Sequence, residues 1–344
     1  MRRVVSIVAV LVFALASAAA PSFSARADEP VHLKIGWITA PISLVPIFDA
    51  KKDVTKHYGK DYVLDGIHFQ GTTPQITALA SGDLDIAELS YSSLALAIQN
   101  AHMDDLKMIA DSLQDGVTAD SYSGPFVVMK DGPVKKIEDL KGKSVSVNVI
   151  GAGIDIAMRA MLRRHGLEAQ RDYNIVEANF ENQEQLLTSG KVAMTTTVSE
   201  MVNDPDFLKL TRSLFDLRQI MGGPTQILMR AARESDIAKK RAAMVDYFED
   251  EIREWHWYLD PKNRAAALKI VSDFNKKPAS FYDSYIWTKD KDLYHDPDDK
   301  PNVAALQKNF DTQKEAGFLS IDIDAKKVSD LSIVDAAAKR VNGK

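Results

Sequence analysis

From about residue 32 to residue 230 the chain alternates between short strand-like runs and helix-like runs, and the turns joining them are rich in Ser, Thr and Gly. That alternation constrains the fold more than any other feature, because strand and helix in turn pack as α/β layers around a largely parallel sheet. His32–Trp37 alternates polar and apolar, as a half-buried strand does. A helical pattern runs from about Ser43 into Lys51, and Val63–Phe69 reads as a strand. The turn Gly71-Thr72-Thr73-Pro74 leads into a short helix ending at Ser81-Gly82; Asp85–Leu89 is strand-like and Ser92–Asn100 helical.

The middle of the chain repeats the scheme. Gly124–Met129 is an apolar strand, and Lys143–Val149 alternates with period two. A helix from Ile154 to His165 is closed by Gly166. Tyr173–Ala178 is the next strand, Gln183–Ser189 a helix, Val192–Val198 a threonine-rich strand and Thr225–Met229 an apolar strand after Gly222-Gly223-Pro224. Downstream the character becomes helical: Met244, Phe248, Ile252, Trp255 and Leu259 fall on one helix face, the spacing of a core-packing stripe. The connecting strands near Gly124–Met129 and Thr225–Met229 bracket the second α/β run. The expected architecture is therefore two α/β lobes joined by a two-crossing hinge, with a helical C-terminal part. Residues 28–123 and 225–344 form the first lobe, and residues 124–224 the second.

The first segment has a different meaning. Arg2 and Arg3 precede ten unbroken apolar residues, Ile7 to Ala16, followed by Pro21 and the small-residue pattern Ala25-Arg26-Ala27. This is the layout of a cleavable export signal. The apolar run is short of the roughly 20 residues that span a bilayer. Cleavage after Ala27 leaves a chain starting at Asp28 and removes three arginines and no acids, which takes the formal net charge from −5 to −8. An acidic balance argues against a nucleic-acid binder, which carries a basic stripe. The absence of cysteine excludes disulfides, thiolate metal sites, cysteine nucleophiles and a lipidated N-terminal cysteine. A soluble, unlipidated periplasmic monomer is expected.

Enzyme motifs are incomplete or missing. Gly151-Ala152-Gly153 follows a strand and opens a helix, but Ile156 stands where a dinucleotide fingerprint needs its third glycine. There is no phosphate-binding P-loop, no H-E-x-x-H and no G-x-S-x-G, and the seven histidines form no i,i+3 or i,i+4 pair. No catalytic residue, metal site or cofactor is expected. The informative places are five strand-to-helix turns: Thr39–Ser43, Gln70–Pro74, Ser90–Ser93, Gly151–Gly153 and Val198–Glu200. In open α/β sheets ligands bind beyond the carboxyl ends of strands, and helix N-termini there offer N–H donors to an oxyanion. The plainer reading of any one such turn is helix capping by Ser or Thr.

These residues resemble a family. The stretches Leu33–Lys52, Gln70–Ala101 and Ser123–Leu167, and above all ALASGDLDIAEL and IEDLKGKSVSV within them, are similar to substrate-binding proteins of ABC importers for nitrate, sulfonates and taurine, relatives of the thiamine-precursor-binding proteins. The resemblance covers about residues 31–230. It implies a type II periplasmic binding fold, a small organic anion as ligand and an inner-membrane ABC permease as partner. Carried over by position, it implies ligand contacts from Thr39, Ser43, Gly71, Thr72, Ser90, Tyr91, Ser123, Gly153, Ile154, Ser199 and Glu200. Two features depart from the pattern: Ala40-Pro41 in the first turn, and the acid Glu200 beside the cleft. Both point away from an inorganic anion such as nitrate. With Tyr91, Tyr122, Phe126 and Phe180 nearby, they favour a larger organic acid, a sulfonate or an aliphatic or aromatic carboxylate. The alternatives are a pyrimidine or thiamine-precursor binder and a periplasmic ligand sensor.

Overall fold

The computed structural model describes residues 29–343. The export signal and its cleavage site at Ala27, expected from the sequence, lie outside the described residues. No helix among the described residues is long and apolar enough to cross a membrane.

Two sheets with the same plan organise the chain. In the first, strands β1 (Val31–Trp37) and β2 (Tyr62–His68) pair in parallel. Helix α1 (Thr73–Ser81) leads to β3 (Ala87–Ser90), which is joined to β1 through the parallel bridge Ile35–Ile86. Helix α2 (Tyr91–Ala101) and strand β4 (Leu106–Asp115) follow. The second sheet takes β5 (Pro125–Met129), β6 (Ser144–Val147), helix α3 (Gly153–Arg164), β7 (Asn174–Glu177), helix α4 (Phe180–Thr188) and β8 (Met194–Thr196). Helices α5 (Ser199–Val202) and α6 (Pro205–Leu210), strand β9 (Thr211–Asp216) and helix α7 (Leu217–Met221) complete that section. Strand β10 (Thr225–Arg233) then returns to the first sheet, between β3 and β4.

The strand orders are β2-β1-β3-β10-β4 and β7-β6-β8-β5-β9. In each, three parallel strands are followed by one that arrives from the other sheet and runs antiparallel to both its neighbours. The largely parallel sheet expected from the strand–helix alternation therefore holds for three strands of each sheet and fails at β5 and β10. The reason is geometric. The parallel strands end at the junction between the sheets, whereas a strand arriving from the other sheet begins there.

Strands β4 and β9 have no counterpart in the sequence reading. Strand β4 is buried along nearly its whole length yet carries Asp111, Ser112, Gln114 and Asp115, so it shows neither an apolar run nor alternation. Beyond β10 the chain is helical: α8 (Glu234–Leu259), α9 (Arg264–Asn275), α10 (Ala279–Asp283), α11 (Val303–Glu315) and α12 (Ser332–Asn342). The aromatic stripe of α8 lies in the core, as its spacing implies. Met244, Phe248, Ile252 and Trp255 are buried with Leu33, Ile35, Phe48 and Tyr62 of the β1–β2 region. A larger core runs through Leu89, Leu113, Phe126, Val145, Met194, Phe215 and Met229, linking both sheets across their junction.

Candidate functional site

A cavity at that junction is lined from both sheets. Its walls are built where parallel strands end and helices begin. Thr72 precedes α1, Ser90 precedes α2, Ala152 and Gly153 open α3, Phe180 opens α4 and Val198 precedes α5. The first turn of a helix carries N–H groups with no intrahelical partner and the positive end of the helix dipole. Only at α2, of these five, does the residue before the helix cap it: Ser90 Oγ accepts from the Ser93 N–H at 3.1 Å. Thr72, Ala152, Asn179 and Val198 give their helices no side-chain cap. The Thr72 hydroxyl is engaged sideways instead, with Ser93 Oγ at 2.6 Å and Ser90 Oγ at 3.3 Å. The donors at the mouths of α1, α3 and α4 are thus left for something other than a cap.

Between these helix ends the walls are mainly apolar, with Ile38, Ile42, Leu113, Ile154, Leu217 and Ile227 among them, and the aromatic rings are Tyr122 and Phe180. Two buried polar atoms of the lining, Tyr122 Oη and Asn148 Oδ1, have no hydrogen-bond partner. Asp115, at the end of β4, is fully buried. Burial pushes its carboxyl up to about 7, against the opposing pull of the Gly124 N–H and the Ser123 hydroxyl, which bond its oxygens at 2.7 and 2.8 Å.

The sequence-predicted residues divide. Thr39, Thr72, Ser90, Gly153 and Ile154 line the cavity. Ser43 lies behind it, fully buried, where its Oγ accepts from Arg230 Nη2 at 2.9 Å beside the ion pairs of Arg230 with Glu88 and Glu251. Gly71 and Tyr91 sit where the two sheets' loops touch. A Cβ on Gly71 would come within 2.6 Å of Val149 Cγ2, and Tyr91 Oη donates to the Gly153 carbonyl at 2.6 Å. Ser92 Oγ and Thr73 Oγ1 donate to the carbonyls of Gly151 and Ile150, so α1 and α2 together hold the Ile150–Gly153 loop. Ser123 ties the two chain crossings together: its Oγ donates to Asp115 and accepts from the Arg218 N–H at 2.8 Å. Ser199 is buried beside Asp292, outside the lining. Glu200 pairs with Lys277 of the C-terminal helical part, so its charge is spent on a cation of this chain. Of the aromatics, Tyr122 and Phe180 reach the cavity, while Phe126 stacks on Phe215 in the core.

Asp115, Asn148 and Thr197 are lining residues that sequence reasoning missed. Asn148 and Thr197 each sit one residue past a strand, β6 and β8, where the sequence reading still continues the strand to Val149 and Val198. Asp115 was hidden with its strand. Elsewhere, His57, Asp61 and Asp246 gather their ligand-type atoms on the surface. Those groups are already paired within the chain: His57 bonds Asp61 at 2.7 Å and Glu249 at 3.2 Å, and Arg340 pairs with Asp246 at 2.7 Å.

Residues 64–207 match the model of a family described as ABC transporter, phosphonate, periplasmic substrate-binding protein. Among solved structures, the chain is similar to the alkanesulfonate-binding protein SsuA from Xanthomonas axonopodis pv. citri bound to MOPS, at 14% identity and a TM-score of 0.63 over 88% of this chain and 98% of that one. It is similar to the nitrate-binding protein NrtA from Synechocystis PCC 6803, at 14% identity and a TM-score of 0.67 over 92% and 90% of the two chains. The aliphatic sulphonate-binding protein SsuA from Escherichia coli gives 15% identity and a TM-score of 0.58 over 87% and 92%. These likenesses establish the periplasmic binding protein fold.

Proposed function

We propose, proceeding from the periplasmic binding protein fold, that this chain is the solute-binding component of an ABC importer. It captures a small organic anion, a sulfonate, phosphonate or carboxylate, and delivers it to a permease in the inner membrane. The mature chain starts at Asp28, works in the periplasm as a monomer and catalyses no reaction. Residues 28–123 with 225–344, and residues 124–224, act as two lobes that close on the ligand.

The observation that carries this reading is the convergence of helix N-termini without side-chain caps, drawn from both sheets, on one mainly apolar cavity. Oriented N–H groups and helix dipoles attract an oxyanion without a basic side chain. Apolar walls favour a ligand with a carbon body, because an inorganic oxyanion would leave them facing water. The family match over residues 64–207 and the sulfonate-binding neighbours support the same class of ligand.

A thermal-shift screen of the exported protein tests it, with alkanesulfonates, alkylphosphonates, aliphatic and aromatic carboxylates, nitrate and pyrimidines as arms. An organic anion at about a hundredfold excess over its Kd adds about 2.7 kcal/mol to the native state. Stabilisation by pyrimidines alone would replace the anion by a thiamine-precursor-type ligand, and turnover of the bound compound would replace the transport role by an enzymatic one.

A further inference from the structure

Asp115 differs from everything else in the cavity. Among the described residues it is the one carboxylate in the lining, it is fully buried, and no Lys, Arg or His side chain of those residues lines the cavity with it. The Arg218 charge reaches it, but that guanidinium is committed to the carbonyls of Gly116 and Thr118, each at 2.5 Å. The other groups that act on its charge or feel it are Asp216 at the end of β9, Tyr91 on α2 and Tyr122, and none brings positive charge. An oxyanion drawn to the first turns of α1, α3 and α4 therefore comes to rest in the same enclosed space as an acid. Two like charges there, poorly screened by water, repel far more than they would in solution.

We infer that the chain takes up its anion together with a proton, and that Asp115 is the residue that holds the proton. This rests on the anion reading above and adds to it the group that decides pH dependence. Protonation turns the carboxylate from a repelling charge into an O–H donor. The site has room for that proton without loss of a bond. Ser123 Oγ donates to Oδ1 and the Gly124 N–H to Oδ2, and each oxygen keeps a second lone pair. The proton comes from solvent and returns to it on release.

An anion nearby raises the carboxyl's pKa in the bound state above its value in the free state, which burial has already brought to about 7. Affinity is therefore greatest and level below the free-state value, and it falls as pH rises between the free-state and bound-state values.

The test is isothermal calorimetry on the exported protein with butane-1-sulfonate, benzenesulfonate and benzoate, whose head groups stay ionised from about pH 6 to about pH 9. The expected result is an affinity that is level below about pH 7 and drops by up to about tenfold per pH unit above it, with uptake of close to one proton per ligand at about pH 8 in buffers of different ionisation heat. The Asp115→Asn protein should show a flat profile and no proton uptake. If that variant does not fold, the proton count on the unaltered protein decides. Binding with no proton exchange, or an affinity that rises with pH, overturns the inference while leaving the anion reading intact. Failure of all three compounds to bind at every pH overturns the anion reading, and the inference with it.

Discussion

Gly153 is the first residue of α3 and lines the cavity, and an added Cβ there would stand 3.1 Å from both Ser90 Cβ and Tyr91 Cε1. Ser90 Cβ is fixed to its backbone and Tyr91 is fully buried, so neither yields easily. Both neighbours belong to the β3–α2 turn of the first sheet, and parting the two sheets relieves the clash. The Gly153→Ala protein should therefore keep its unliganded melting temperature, helped by a helix propensity gain of up to about 1 kcal/mol. It should bind its anion more weakly and keep a larger radius of gyration when saturated. Calorimetry and small-angle scattering read the two effects separately, and unchanged affinity would mean that the contact does not form in the liganded protein. Residue type and position were enough to single out Gly153, Thr72 and Ser90 from the sequence. They were not enough for Ser43, whose hydroxyl serves Arg230. Residues 43 and 230 meet only because β10 returns to the first sheet, and no local pattern at residue 43 carries that information.

At the scale of the element, α3 is a 12-residue helix whose N-cap position is Ala152, a residue that cannot accept a hydrogen bond through its side chain. Capping residues at such a position contribute about 0.5–2 kcal/mol, so leaving α3 uncapped costs stability and keeps its N–H groups free. Replacing Ala152 with Ser should move both quantities in opposite directions. The unfolding midpoint in urea should rise by the equivalent of about 1 kcal/mol, and anion affinity should fall as the hydroxyl takes up a donor the ligand uses. A gain in both, or a loss in both, would show that the α3 donors do not face the ligand. The helices and the parallel strands were legible in sequence because their apolar residues recur with the period of the element, or run together, between turn residues. Strand β4 was illegible for the opposite reason: it is buried along nearly its whole length and its second half is polar. Asp111 bonds Gln114 of its own strand, but its other oxygen is satisfied by Gln226 only once β10 lies alongside β4.

For the molecule as a whole, buried ionisable groups set a direction for stability against pH. Burial pushes the carboxyls of Asp111 and Asp115 up to about 7 and that of Asp292 up to about 6. An unfolded aspartate titrates near about 3.9, so the stability these protons confer is complete below about pH 4 and is lost as pH rises through about 6 to 7. His295 acts in the other sense: buried and held down to about 3, it stays neutral in the fold and costs stability once pH falls below about 6.5. Three carboxyls against one imidazole give a melting temperature higher at about pH 5.5 than at about pH 8 by differential scanning calorimetry; a steady rise over that interval would mean these carboxyls are ionised in the folded protein. The sequence by itself determined the alternation of strand and helix, the helical C-terminal part and the turns that open helices, because periodic burial and glycine and hydroxyl turns are local properties of the chain. Only the tertiary structure decided that β5 and β10 run antiparallel to their neighbours, that Asp115 and Asn148 enter the cavity, and that Tyr91 and Gly71 serve the contact between the two sheets. Those outcomes depend on which segments distant in sequence are brought side by side, and the free energy that selects them is released only when those segments pack.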